Sequence, residues 1–248
     1  MFVTDLLNLE KGSVLRVYKP YKWTSFDVTK KIQRFVIRKI KRNQSNKLLP
    51  KIKVKVGHAG TLDPLATGLL IVCIGKETKN IEKYMGMPKI YTGEFFLGAT
   101  RPSMDKETEI DQVFSIDKIN PQMIEAAAQS LVGELDQIPP LFSAIKKDGV
   151  RAYQMARAGS TVELPSRKVR VDKFTITHIH LPYIGFEIAC SKGTYIRSLA
   201  RDFGKALNNG AYLESLCRTK IGDFSIDEAI TIDEMAEIFG ETLVFKEN

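Results

Sequence analysis

Residues 56–75, VGHAGTLDPLATGLLIVCIG, constrain the fold more tightly than any other stretch. Gly57, Gly60, the Asp63-Pro64 pair and Gly68 crowd turn-forming residues together. Glycine reaches backbone angles closed to other residues, and Asp-Pro presets a turn. Residues 69–74 then form an unbroken apolar run, short and rich in strand formers, which reads as a buried strand. The chain must turn sharply here and enter a sheet, so Asp63 is expected on a tight loop at the sheet rim. An Asp-Pro pair often does no more than shape a turn or cap a helix. A loop held by a rigid scaffold is also where catalytic groups lie.

Charge narrows the partner. The net charge is +8 over 248 residues. No acid occurs between Asp27 and Asp63, an interval with 11 basic residues from Lys30 to Lys55. Taking those 11 from +8 leaves the rest of the chain at −3, so the basic character is one stripe. A charge run is often only a solvated face. A stripe with no balancing acid favours a phosphate backbone, and removing it should weaken polyanion binding and flatten its salt dependence. A membrane is not expected, because no apolar run is long enough to span one. The start, MFVTDLLNLEKG, lacks the basic region of a signal peptide. Cys73, Cys190 and Cys217 are odd in number and widely spaced, which suits reduced thiols in the cytoplasm.

The remaining pattern is irregular. Val28, Ile32, Phe35, Val36 and Ile40 recur at helical spacing, with Thr24 and Asp27 placed as a capping box. Residues 43–50 read as a loop, and the alternation of Ile52, Val54 and Val56 with lysines reads as a half-exposed strand. Strands are also expected over 13–18, 90–97, 169–176 and 186–190. Helices are expected over 121–131, 149–158 and 195–207, the last with Ile196, Leu199, Ala200, Phe203 and Leu207 on one face. No regular βαβ rhythm appears, so the expected class is α+β with a mainly antiparallel mixed sheet flanked by helices. One catalytic domain over 9–232 is expected, followed by a helical tail over 233–248.

Common signatures are absent. Gly68 to Lys76 has the wrong spacing for a P-loop, and Glu77 stands where Ser or Thr would bind. His178 and His180 alternate on an expected strand without a nearby ligand set, so no metal is expected. By contrast, GHAGTLDPLATGLL resembles the catalytic motif of the TruB family of tRNA pseudouridine synthases. Five further blocks match in order: Lys19-Pro20 with Thr24-Ser25, the tyrosine strand over 89–98, QIPPLFSAIKKDGVRAYQMARAG, CSKGTYIRSLARDFG and LESLCRTKIGDF. The resemblance covers about residues 13–230. It departs at Lys22, where the family has Gly, and after Gly98, where Ser103 replaces Thr, Asp105 fits and no Gly follows. The small C-terminal RNA-binding domain of most bacterial relatives is not expected here.

The resemblance implies a pseudouridine synthase fold and an isomerase that needs no cofactor. It implies Asp63 as nucleophile on uracil C6 or ribose C1′, and Arg197 as the cation that pairs with it. It also implies that Tyr91 stacks on a flipped uracil, Tyr195 contacts the base, Leu216 walls the pocket and His58 guards the vacated RNA stack. Without it, Tyr91, Tyr195 and Leu216 would read as core, His58 as a turn residue and Arg197 as a surface arginine at a helix start. The implied substrate is uridine-55 in the T arm of tRNA, with no DNA or membrane partner, a monomeric state and a cytoplasmic setting. The alternatives are a guide-RNA-dependent synthase, a non-catalytic RNA-folding factor and a generic basic nucleic-acid binder.

Overall fold

A computed structural model describes residues 12–43, 53–143, 146–147, 149–157 and 164–240. Two compact units emerge, one built from residues 1–87 with 217–248, the other from 88–216.

In the first unit, β1 (Ser13–Lys19) leads into α1 (Ser25–Asn43), followed by β2 (Val56–Ala59) and β3 (Thr67–Ile74). The Thr24 capping box forms as expected. Thr24 N donates to Asp27 Oδ2 at 3.0 Å and Asp27 N donates to Thr24 Oγ1 at 3.0 Å. β3 is the axis of this unit, and every residue from Gly68 to Ile74 is buried. β1 runs antiparallel along one edge, from Ser13↔Ile74 to Lys19↔Gly68. β2 takes the other edge opposite Ile71–Ile74, antiparallel, and two later residues pair with it in parallel, Cys217↔Thr67 and Arg218↔Gly68. Alternate β3 residues feed two cores. Leu70, Val72 and Ile74 pack with Val28, Ile32, Phe35 and Val36 of α1. Leu69, Ile71 and Cys73 pack with Tyr84 and Ile221. A strand covered on both faces has no polar alternation, and that explains the unbroken apolar run.

Of the strand expected over 52–56, Ile52 lies outside the described residues and the rest is corrected: 53–55 are not strand, and β2 begins at Val56. Exposure still alternates through Lys53, Val54 and Lys55. The backbone there is satisfied outside a ladder, with Gln33 Nε2 donating to Val54 O at 2.7 Å and Gly75 N donating to Lys55 O at 2.9 Å. The loop expected over 43–50 lies, beyond Asn43, outside the described residues. A 3-10 turn (Gly75–Asn80) and α2 (Ile81–Met85) complete the N-terminal part of this unit.

The second unit opens with β4 (Lys89–Leu97) and the short pair β5 (Ala99–Thr100) and β6 (Gln112–Val113). α3 (Pro121–Ser130) and β7 (Gly133–Gln137) follow. β8 (Lys146–Lys147) and β9 (Val150–Arg151) form a small hairpin before α4 (Ala152–Arg157), so the helix expected from 149 starts three residues later. β10 (Arg167–His180), β11 (Tyr183–Cys190) and α5 (Ile196–Ala206) end this part. β4, β11, β10 and β7 lie side by side, antiparallel throughout. Phe203 of α5 packs on Phe95 and Phe174 of this sheet, with ring centroids 5.5 and 5.9 Å apart. All five residues expected on the inner face of α5 are buried.

β12 (Ala211–Ile221) starts in the second unit and ends in the first. β13 (Phe224–Ser225) and α6 (Ile232–Ile238) then rejoin the first unit, where Ile232, Met235, Ala236 and Phe239 enter the core beside α1. The α+β class with a mainly antiparallel sheet is borne out. No helix of the described residues is long and apolar enough to cross a membrane.

Candidate active site

The first unit holds Asp63 and His58; the second holds Arg197, Tyr91, Tyr195 and Leu216.

Asp63 opens a turn closed by Ala66 N, which donates to the Asp63 carbonyl at 3.1 Å. The half-buried Asp63 sits four residues before β3. Two buried cations clamp this turn from opposite sides, and both face Gly68 in the sheet register. Lys19, fully buried at the end of β1, donates from Nζ to the carbonyls of Pro20 (2.9 Å), Trp23 (2.6 Å) and Pro64 (3.3 Å). Arg218, also buried, donates from Nε to Leu69 O at 2.8 Å and from Nη2 to Gly60 O at 3.0 Å. Gly68 has φ +104°, and a Cβ there would lie 2.4 Å from Arg218 O. No larger side chain fits between the strands at this point. Ser25 adds a third tether, accepting from Leu62 N at 2.9 Å and donating to Leu62 O at 3.2 Å. The loop thus hangs on side chains from β1, α1 and β12.

Neither Lys19 nor Arg218 stands out in the sequence as a site residue. Lys19-Pro20 marks a strand end, and Arg218 belongs to a motif whose strand is hard to read. A lone Lys or Arg reads as surface by default, and only the tertiary fold reveals its burial.

Burial lowers the Lys19 ammonium to about 8; the Asp63 carboxylate opposes that fall and Arg218 adds to it. The folded value lies below the ordinary 10.5, so across that window the unfolded chain binds more protons and stability rises with pH. Denaturant unfolding at about pH 8 and about pH 10.5 should therefore show the wild type gaining stability relative to Lys19→Met. Parallel curves for the two proteins would contradict it.

His58 lies on β2, half-buried, and its pKa is lowered by burial and then by Arg218. Its Nδ1 is buried with no hydrogen-bond partner among the described residues.

In the second unit Arg197 occupies the first turn of α5 and is buried, so the reading of a surface arginine at a helix start is wrong. Its Nε lies 3.5 Å from Asp105 Oδ2, Nη1 donates to Ser103 O at 3.2 Å and Nη2 donates to Phe142 O at 2.9 Å. Asp105 is buried as well and accepts from Glu107 N at 2.9 Å. Between Ser103 and Asp105 the chain turns through Met104 at φ 62°. Asp105 drew notice in the sequence only as a matching loop residue, and its pairing with Arg197 across 92 positions has no local signal.

Tyr195 caps α5 and is half-buried. Gln137 brackets its backbone, donating to Tyr195 O at 3.1 Å and accepting from Tyr195 N at 2.8 Å. The Arg167 guanidinium covers one face of the Tyr195 ring, 4.2 Å from its centroid. Tyr91 lies in β4 opposite Ile188 and is mostly buried; Leu216 is half-buried in β12.

Burial pushes the Cys73 thiol up to about 12 and the Cys190 thiol up to about 11, which leaves both poor nucleophiles. Among the described residues no group of three or more His, Cys, Asp or Glu could hold a metal ion.

The family described as TruB family pseudouridylate synthase (N terminal domain) matches residues 41–196. The tRNA pseudouridine synthase B of Flavobacterium johnsoniae is 54% identical over 222 residues, covering 90% of this chain and 93% of the relative. That of Phocaeicola vulgatus is 46% identical over 231 residues, 93% of this chain and 94% of the relative. Among solved structures, a chain of a Cbf5-Nop10-Gar1 complex has a TM-score of 0.67 at 25% identity, over 96% of this chain and 60% of that one. A chain of the archaeal box H/ACA sRNP Nop10-Cbf5 complex has a TM-score of 0.65 at 24% identity, over 94% of this chain and 55% of that one. This chain therefore spans just over half the length of those two solved chains, and the likeness to them is one of fold.

Proposed function

Because the chain belongs to the TruB family of pseudouridylate synthases and is an isomerase of tRNA uridine, we propose that its target is uridine-55 of the T loop and its nucleophile Asp63. The observation that carries this reading is the Asp63 turn, tethered by Lys19, Ser25 and Arg218 at the mouth of β3. Preorganisation of this kind is what a nucleophile needs, because a loose carboxylate would sample many unproductive positions.

The reaction exchanges one bond for another. The N1–C1′ bond breaks, the uracil turns, C5 bonds to C1′, the C5 proton leaves and N1 gains a proton. No electrons are gained or lost overall. An ionised carboxylate can add to uracil C6 or to ribose C1′ and then depart, which suits Asp63 to either path. The target base must leave its stack, at a cost of a few kcal/mol, and an aromatic partner returns about 1–3 kcal/mol. Tyr91 takes that stacking role, Tyr195 contacts the base, Leu216 forms an apolar wall and His58 guards the vacated stack. Arg197 is the cation assigned to keep the nucleophile ionised. The protein works as a monomer, without a cofactor, in the cytoplasm, where its three free cysteines stay reduced.

The fold likeness to Cbf5-containing complexes favours a second reading, a guide-RNA-dependent synthase. The relatives at 54% and 46% identity, matched over nearly their full length, support the tRNA reading instead.

Mapping pseudouridine in tRNA from cells lacking this gene tests the proposal. Position 55 is expected to carry unmodified uridine, restored to pseudouridine when the gene is returned. Pseudouridine persisting at 55 while another position loses it would overturn the site assignment.

A further inference from the structure

The seven basic residues of α1 fall into two groups. Arg42 holds the fold, with Nη1 donating to Phe239 O at 2.8 Å and to Gly240 O at 3.1 Å. Lys31 and Lys39 are half-buried and lie over the rings of Phe35 and Phe239. Lys30, Arg34, Arg38 and Lys41 are all exposed and spaced three or four residues apart on α1. At 1.5 Å per residue, the ridge from position 26 to position 41 is about 22 Å long.

Two exposed aromatics stand at the start of that ridge. Phe26 is 66% exposed and Tyr21 is 46% exposed. Two rings this exposed, five residues apart, present flat faces on which a base can stack. Each has a cation beside it, Lys30 Nζ at 5.9 Å from the Phe26 ring and Lys22 Nζ at 5.9 Å from the Tyr21 ring. Both belong to the segment that touches the Asp63 turn, where Lys22 N donates to Pro64 O at 2.9 Å and Ser25 holds Leu62. Lys22 has φ 66°, a strained conformation for a lysine at a position where glycine would be relaxed. The nearest acid in sequence, Asp27, is engaged by Thr24 in the capping box.

We propose that the Tyr21–Phe26 turn and the Lys30, Arg34, Arg38, Lys41 ridge form a docking surface for the RNA strand that adjoins the target nucleotide. The cations neutralise successive phosphates and the two rings stack on bases outside the reacting one. An acidic protein would match the cations but would leave the rings without the flat partners a nucleic acid offers. The inference rests on the reading of the chain as a tRNA-modifying enzyme.

The test measures the Kd of an unmodified tRNA transcript from about 50 to about 200 mM salt. The variant Lys30→Gln/Arg34→Gln/Arg38→Gln/Lys41→Gln is expected to bind more than about tenfold more weakly, with the slope of log K against log salt reduced by about 3. Tyr21→Ala/Phe26→Ala is expected to weaken binding at least about fivefold with the slope unchanged. A control set on other exposed lysines, Lys79, Lys83, Lys118 and Lys205 changed to Gln, is expected to shift the slope by less than about 1. An unchanged slope in the ridge variant, or an equal fall in the control, overturns the proposal. Should the fourfold variant fold poorly, Arg34→Gln alone is expected to lower the slope by about 1, and no change there has the same force. Pseudouridine formation by the wild type, assayed in the same preparation, separates the two ideas. Isomerisation with an unaltered ridge slope sinks the surface alone, and a ridge effect without isomerisation sinks the enzymatic reading alone.

Discussion

Asp63→Asn is expected to lower pseudouridine formation by on the order of 10⁴-fold or more, while tRNA binding stays within about threefold of wild type. The substitution keeps size and shape but removes the electron-rich oxygen that attacks and leaves. The turn should survive it, because the clamps act on main-chain atoms near Asp63: Lys19 on Pro64 O, Ser25 on Leu62, Arg218 on Gly60 O and Leu69 O. Loss of turnover with intact binding and a cooperative unfolding transition isolates the chemical role. A variant that retained even a hundredth of the wild-type rate would transfer that role to another group.

Arg197→Met is expected to cost about 3–5 kcal/mol of stability, read from denaturant unfolding. The guanidinium lies 3.5 Å from Asp105, and both groups are buried. Taking one member of a buried pair away leaves the other charged without its counterpart, a larger penalty than the pair's own net value. The double variant Arg197→Met/Asp105→Asn should recover most of that loss, since the neutral amide no longer needs a cation and can still accept from Glu107 N. Turnover should not recover with it, and should remain about 10²–10³-fold below wild type if Arg197 also stabilises charge in the reaction. Recovery of both stability and rate in the double variant would make Arg197 a purely structural residue.

Much of this molecule is legible in its sequence, for reasons that differ from element to element. α1 is readable because its apolar spacing and the Thr24–Asp27 cap point to the same start, and the cap forms as written. β3 is readable because burial on both faces leaves no polar residue to interrupt it. β12 is not legible because AYLESLCRTKI breaks its alternation with half-buried residues and with a buried arginine, whose charge suggests surface. Lys53–Lys55 misled in the opposite way. Alternating exposure needs only an extended chain over a core, and side-chain and single backbone partners replaced the ladder there. The site shows the same division. Asp63 is visible through its turn chemistry and motif, and Lys22 through its departure from glycine, realised as φ 66°. Lys19, Arg218 and Asp105 were not visible as site residues, because each acts through a partner distant in sequence, and spacing holds no record of such pairs.

Pseudouridine formation expels the hydrogen on uracil C5, so the reaction can be followed by release of tritium to water from tRNA transcribed with [5-³H]uridine. Purified wild-type protein, with no added RNA or protein, is expected to release about one equivalent per tRNA, and none from a transcript with cytidine at position 55 or with Asp63→Asn as the enzyme. Equal release from the cytidine-55 transcript, or release by Asp63→Asn at the wild-type rate, would contradict an Asp63-driven isomerisation of that uridine.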